Sequence, residues 1–133
     1  MYELKKTMTF SAAHCLSHLP LDHPCGRLHG HNYSVTVTLR SDYLDKHGFV
    51  TDLNVVGKAL KRLVDNYDHT NLQDTFVGRS TCEVMARFFY DCLLAQLGVV
   101  VYSVTVSEGP SSSVTYWDDP LDVNDDELPP PPF

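Results

Sequence analysis

Apolar and polar positions follow a period of two near both ends of the chain and a helical period in the middle. Residues 2–13 carry the mixed Thr, Phe and Met content of a strand. Residues 33–39 alternate cleanly, which places Tyr33, Val35, Val37 and Leu39 on one face and predicts an antiparallel partner for the first strand. The intervening loop, residues 15–28, is too long for a mere turn, and loops of that kind usually carry function. From 52 to 67 the period changes: Leu53, Val56, Leu60, Leu63, Val64 and Tyr67 recur at helical spacing opposite Lys58, Lys61 and Arg62, with Thr51 or Asp52 as N-cap. A second helix is predicted over 81–97, burying Val84, Met85, Phe88, Phe89, Cys92 and Leu93, with Ser80 and Glu83 as a capping box and Gly98 as its stop. Residues 99–106 then read as an apolar strand and 114–117 as its partner across Gly-Pro-Ser-Ser-Ser. The order strand, strand, helix, helix, strand, strand predicts an α+β domain with both helices on one face of a four-stranded antiparallel sheet.

Composition narrows the class. A chain of 133 residues, 43% of them hydrophobic, can bury one core, so disorder throughout and collagen-like repetition are excluded. The net charge of -7 is unevenly placed. Residues 118–133 hold six acids and no Lys or Arg, so they form an acidic, proline-rich tail behind a domain spanning 1–117. The remaining 11 acids face 10 bases, which leaves no dense basic face for direct nucleic-acid binding. No apolar run approaches the roughly 18 residues of a membrane span, and the opening residues lead straight into a strand pattern rather than a secretory leader. A cytoplasmic protein without membrane contacts is expected. Of the four cysteines none forms Cys-x-x-Cys; Cys82 and Cys92 fall in a helical apolar pattern and read as small buried hydrophobes. Cys25 instead lies in a stretch rich in Gly, Pro and His.

The histidines carry the chemistry. His29 and His31 precede the alternating strand; if the strand begins a little earlier, period two puts both imidazoles on one face, about 6–7 Å apart along the chain. Two nitrogens so placed can meet at one ion, and His14, ending the first strand, is the best supplier of a third. Three neutral histidines leave a fourth position open, as in catalytic zinc sites. His18, His23 and His47 lie in polar turns without partners at diagnostic spacing. Cys25, four residues before His29 and near Arg27, has two readings. It is a base or nucleophile activated by nearby positive charge, or it is a fourth ligand that closes the site for a structural role. Asp68-His69 either decorates a helix end or is a carboxylate fixing an imidazole tautomer. Glu108, after an apolar strand, is either a solvated strand end or an acceptor for a ligand with paired N–H donors.

Phe-Ser-Ala-Ala-His (10–14), Cys-x-x-x-His-Gly-His (25–31), Asp-His-x-x-Leu (68–72), Ser-Thr-x-Glu (80–83) and the strand-end Glu108 stand in the order seen in the family of 6-pyruvoyltetrahydropterin and 6-carboxytetrahydropterin synthases, which the chain resembles over about residues 2–117. The resemblance implies a tunnelling fold, in which the sheets of a trimer join into a barrel and two trimers stack into a homohexamer. It implies Zn2+ held by His14, His29 and His31, with Cys25 as general base. Asp68 and His69 would be a proton relay contributed across a subunit interface, and Glu108 the anchor of the pterin ring. Arg27 is placed near the triphosphate by proximity alone. Three residues between Cys25 and His29 resemble the bacterial enzymes of queuosine biosynthesis. The implied reaction converts 7,8-dihydroneopterin triphosphate to 6-carboxy-5,6,7,8-tetrahydropterin, acetaldehyde and triphosphate. Formation of 6-pyruvoyltetrahydropterin, a non-catalytic zinc-binding assembly module and a zinc hydrolase are the competing expectations. Gln73, Ser80, Val84 and Gly109 depart from residues common in the family, and none of them removes a proposed catalytic group.

Overall fold

The computed structural model describes residues 1–76, 79–98 and 100–119; all of the expected acidic tail beyond 119 lies outside them. Two long strands, β1 (Tyr2–His14) and β2 (His29–Ser41), pair antiparallel along their whole length, from Tyr2 opposite Ser41 to His14 opposite His29. Then come α1 (Leu53–Asp65), a short strand β3 (Thr70–Asn71), a single-turn helix α2 (Gln73–Phe76) and α3 (Cys82–Leu97). The hairpin of β4 (Val101–Gly109) and β5 (Ser112–Tyr116) follows. The sheet order is β3-β1-β2-β4-β5.

The α+β expectation holds, with one correction: the sheet has five strands, because β3 adds to β1 in parallel at Ala12 and Ala13. Two residues are too few to show a period, as are the four of α2.

Alternation decides which face is covered. Phe10 and Ala12 on β1, Tyr33, Val35, Val37 and Leu39 on β2, and Val104 and Val106 on β4 are buried on one side. Against them pack α1, through Val56, Leu60, Leu63 and Val64, and α3, through Met85, Phe89 and Leu93. The other side is polar and open, with Thr7 bonded to Thr36 and Thr105 to Thr115 across the strands, each at 2.7 Å.

Helix ends are set as capping physics requires, with two corrections to the sequence reading. Asp52 caps α1 by accepting from the Asn54 N–H at 2.8 Å, and Leu53 is exposed rather than core. Thr81, not Ser80, caps α3, accepting from the Val84 N–H at 3.3 Å. Gly98 ends α3 with φ of 82°, a conformation open to glycine. The expected strand over 99–106 begins at Val101.

Candidate metal centre and active site

The site is built where β1 ends and β2 begins, on the helix-covered face. Register sets His14 directly across from His29, and Ala12 across from His31, so period two aims all three imidazoles to the same side. Ring centroids lie 4.5 Å (His14–His29), 5.0 Å (His14–His31) and 4.7 Å (His29–His31) apart. One nitrogen from each ring falls within 4.8 Å of the others.

The outer nitrogens fix two of the tautomers. His14 Nδ1 lies 3.0 Å from the Ser80 carbonyl oxygen and 3.0 Å from Ser80 Oγ, and His29 Nδ1 lies 2.6 Å from the Arg27 carbonyl oxygen. A carbonyl can only accept, so both Nδ1 atoms carry hydrogen and both Nε2 lone pairs point inward. Those two Nε2 atoms are 2.9 Å apart. Two lone pairs so close repel unless a cation lies between them. Burial first lowers the pKa of His14, against a raising contribution from its Ser80 partner, so a proton is disfavoured there. A tetrahedral ion bonded at 2.0–2.1 Å separates its ligand nitrogens by about 3.3 Å, so the rings need to part only by a few tenths of an ångström. The donor set fits a divalent zinc-type ion with a face left open.

Ser80 therefore orients His14, a role the sequence reading missed by assigning it to the helix cap. Cys82, read as a small buried hydrophobe, also belongs here. Burial, and then the neighbouring Glu108 charge, push its thiol up to about 12, so it is held neutral. Glu108 Oε1 is 4.0 Å from His14 Nε2, and its Oε2 is 3.7 Å from His31 Nε2. Glu108, part-exposed, therefore faces the histidine cluster.

Two grooves meet at His31. One, of about 790 Å³, runs from His31 past Glu108 to the Ser111–Ser113 stretch of the β4–β5 hairpin. The other, of about 650 Å³, runs from His31 past Leu28 to His69 and Asn71. Asp68 and His69 form a pair within one chain, His69 Nδ1 to Asp68 Oδ2 at 2.9 Å. Adjacent side chains can meet here because His69 adopts φ of 57°, a left-handed conformation that is uncommon outside glycine. Asp68 Oδ1 also accepts from the Ser11 N–H at 2.9 Å, and the Ser11 carbonyl accepts from the His69 N–H at 2.6 Å, which pins the pair to β1. The Ser11 N–H first, and then His69, hold the Asp68 carboxyl below its usual range.

The loop between β1 and β2 places the remaining two residues. The Leu16 N–H donates to the Cys25 carbonyl at 2.7 Å and closes its neck. Cys25 occupies a 3-10 turn, Pro24–Gly26, capped by His23, whose Nδ1 accepts from the Cys25 N–H at 3.1 Å. Gly26 is required there, since a Cβ would stand 2.4 Å from the Pro20 carbonyl oxygen. Cys25 is half-buried and is not one of the metal-ligand group. Arg27 is exposed; what it gives the site is its carbonyl on His29. No helix among the described residues is long and apolar enough to cross a membrane.

Comparisons with known proteins agree with this geometry. The profile of the 6-pyruvoyl tetrahydropterin synthase family matches residues 3–119. The 6-carboxy-5,6,7,8-tetrahydropterin synthase of Bacillus subtilis is 38% identical over 128 residues, covering 86% of this chain and 84% of that one. The protein of the same name from Synechocystis is 35% identical over 124 residues, covering 88% and 94%. Among solved structures, 6-pyruvoyl tetrahydropterin synthase of Caenorhabditis elegans superposes with a TM-score of 0.77 at 30% identity, covering 89% of this chain and 96% of that one.

Proposed function

The chain belongs to the 6-pyruvoyl tetrahydropterin synthase family, and on that premise we propose that it is a zinc-dependent lyase converting 7,8-dihydroneopterin triphosphate, with uptake of water, to 6-carboxy-5,6,7,8-tetrahydropterin, acetaldehyde and triphosphate. The observation that carries the reading is the convergence of three imidazole nitrogens, two with their tautomers fixed by carbonyls, beside a carboxylate and at the junction of two grooves. The choice of the carboxy product follows the names of the Bacillus and Synechocystis relatives and the spacing of three residues between Cys25 and His29. A place in queuosine biosynthesis goes with that choice.

His14, His29 and His31 hold the ion. When bound, a zinc ion polarises side-chain hydroxyl and carbonyl oxygens of the substrate and makes the neighbouring C–H bonds more acidic. Glu108 accepts two charge-assisted hydrogen bonds from the amino-pyrimidine edge, and a ligand lacking that edge leaves a buried-facing carboxylate unpaired. Cys25, outside the ligand group, takes and returns protons as general base. His69 presents Nε2 to the groove it shares with His31 while Asp68 holds Nδ1, and so relays protons. Arg27, exposed two residues before His29, meets the triphosphate. The dihydro ring gains the hydrogen that the side chain loses, so no redox cofactor is needed.

The assembly we propose is a homohexamer, a dimer of trimers. Among the described residues β1 pairs on its outer side only at Ala12 and Ala13, which leaves most of that edge open, and β5 is the opposite edge. Edges of this kind invite pairing with another copy. Such pairing would bring a neighbour alongside His69, whose side chain is 82% exposed.

Product analysis tests the reading. Purified protein incubated with 7,8-dihydroneopterin triphosphate is expected to release acetaldehyde in step with triphosphate, and to stop when a chelator is added. Formation of 6-pyruvoyltetrahydropterin without acetaldehyde would select the pyruvoyl reaction instead, and no consumption of the triphosphate would overturn both.

A further inference from the structure

Tyr33 poses a problem that the proposed function does not absorb. It is fully buried, and its hydroxyl has no hydrogen-bond partner among the described residues. An unmade bond of that kind is costly, so a buried orphan in a native fold calls for a reason. The ring cannot turn away to find a partner. It stacks on Phe10 at 5.0 Å and 15°, and the His14 and His31 rings abut it edge-on at 5.8 and 5.5 Å.

Register shows what Tyr33 stands opposite. Val35 pairs with Val106 and Ser34 with Ser107, so the next position on β4, Glu108, comes opposite Tyr33 on the same helix-covered face. Cys82, the buried first residue of α3, lies close enough to the Glu108 carboxylate for that charge, after burial, to raise its thiol. Burial first, and then the Glu108 carboxylate, keep the Tyr33 phenol protonated. Two neutral donors, a phenol and a thiol, therefore flank one carboxylate.

In this structure Glu108 leans toward His14 Nε2 and His31 Nε2. Nitrogens committed to a metal carry no hydrogen and can donate nothing to a carboxylate. In the loaded protein Glu108 must find other donors, and Tyr33 is the donor with its bond unmade.

We propose that Tyr33, acting with Cys82, is the positioning residue for Glu108: its hydroxyl and the Cys82 thiol hold the inward-facing lone pairs of the carboxylate, so that both oxygens stay aimed at paired N–H donors of a pterin ring. The proposal rests on the proposed function for the identity of that ring.

The experiment measures binding of pterin itself, and of lumazine, which has a carbonyl in place of the 2-amino group, to the zinc-loaded protein and to Tyr33→Phe, Cys82→Ala and Cys82→Ser. Metal content and thermal stability are read in parallel. Tyr33→Phe is expected to weaken pterin about tenfold, a loss of about 1.4 kcal/mol, and to bring the pterin-to-lumazine preference down by the same factor. Zinc should be retained and the melting temperature unchanged or raised, because an unpaired buried hydroxyl has been removed. In turnover the loss should fall on KM rather than kcat. Cys82→Ala should lose affinity in the same way, and Cys82→Ser, which keeps a donor, should recover most of it. Wild-type preference for pterin in Tyr33→Phe would overturn the proposal and leave the proposed function standing. A wild-type protein that binds zinc but not pterin would overturn both.

Discussion

Replacing Ser80 by Ala separates two roles that the residue's place in the sequence confounds. As a helix cap, Ser80 would matter to stability alone; as the partner of His14, it would matter to the metal. His14 Nδ1–H is shared between the Ser80 carbonyl and hydroxyl, each at 3.0 Å, and the substitution removes only the second acceptor. Loss of an outer partner of a ligating histidine typically lowers metal affinity 10–100-fold. With the carbonyl retained, the lower end applies, about tenfold or about 1.4 kcal/mol. Stability of the metal-free protein should fall by about 1 kcal/mol, the net value of one neutral hydrogen bond, which for a domain of this size lowers the melting temperature by roughly 3–6 °C. Thr81→Ala is the matched control. It removes the observed cap, costs about 1 kcal/mol as well, and touches no ligand. Melting temperature therefore cannot tell the two variants apart, but competition with a chromogenic zinc chelator can. Ser80→Ala should yield zinc about ten times more readily than wild type, and Thr81→Ala should match wild type. Equal zinc affinity in the two variants would refute the argument that Ser80 orients His14.

Three further outcomes follow from the same geometry. Cys25→Ala should keep its zinc and lose turnover, measured by metal analysis and acetaldehyde release on one preparation; loss of zinc would select the assembly-module reading. Asp68→Asn should lower kcat by at least about 10²-fold by disturbing the His69 tautomer with zinc content unchanged, whereas a loss confined to KM would speak against a relay. Burial lowers the pKa of His14 in the folded, metal-free protein, so the unfolded chain takes up its proton first as pH falls. Its contribution to stability is then full above the unfolded value near 6.5 and is lost as pH drops below it. NMR titration of the metal-free protein should place the His14 midpoint below 6.5, and a midpoint above that value would contradict the burial argument.

Much of this could be read from residue order because alternation carries information about faces. The run 33–39 marks one face of β2, and extending its period back to His29 and His31 puts both imidazoles on it. Extending the period of β4 from Val104 and Val106 to Glu108 does the same for the carboxylate. What escaped depends on contacts between residues far apart in the chain. Ser80 and Thr81 are both good caps, and what decides between them is a hydrogen bond from His14, 66 residues away. Cys82 looks apolar in a helical pattern, and only the fold brings it under the influence of the Glu108 carboxylate. The Asp68–His69 contact needs a left-handed His69, a backbone conformation that no residue pattern announces. Strand β3 is a two-residue bridge held by its neighbours on β1.

X-ray absorption at the zinc edge of the loaded protein bears most directly on the three-imidazole centre. The account predicts a first shell of nitrogen and oxygen scatterers at about 2.0–2.1 Å, with multiple scattering from three imidazoles and no sulfur. A sulfur scatterer at about 2.3 Å would put a cysteine in the shell and close the face on which the chemistry depends.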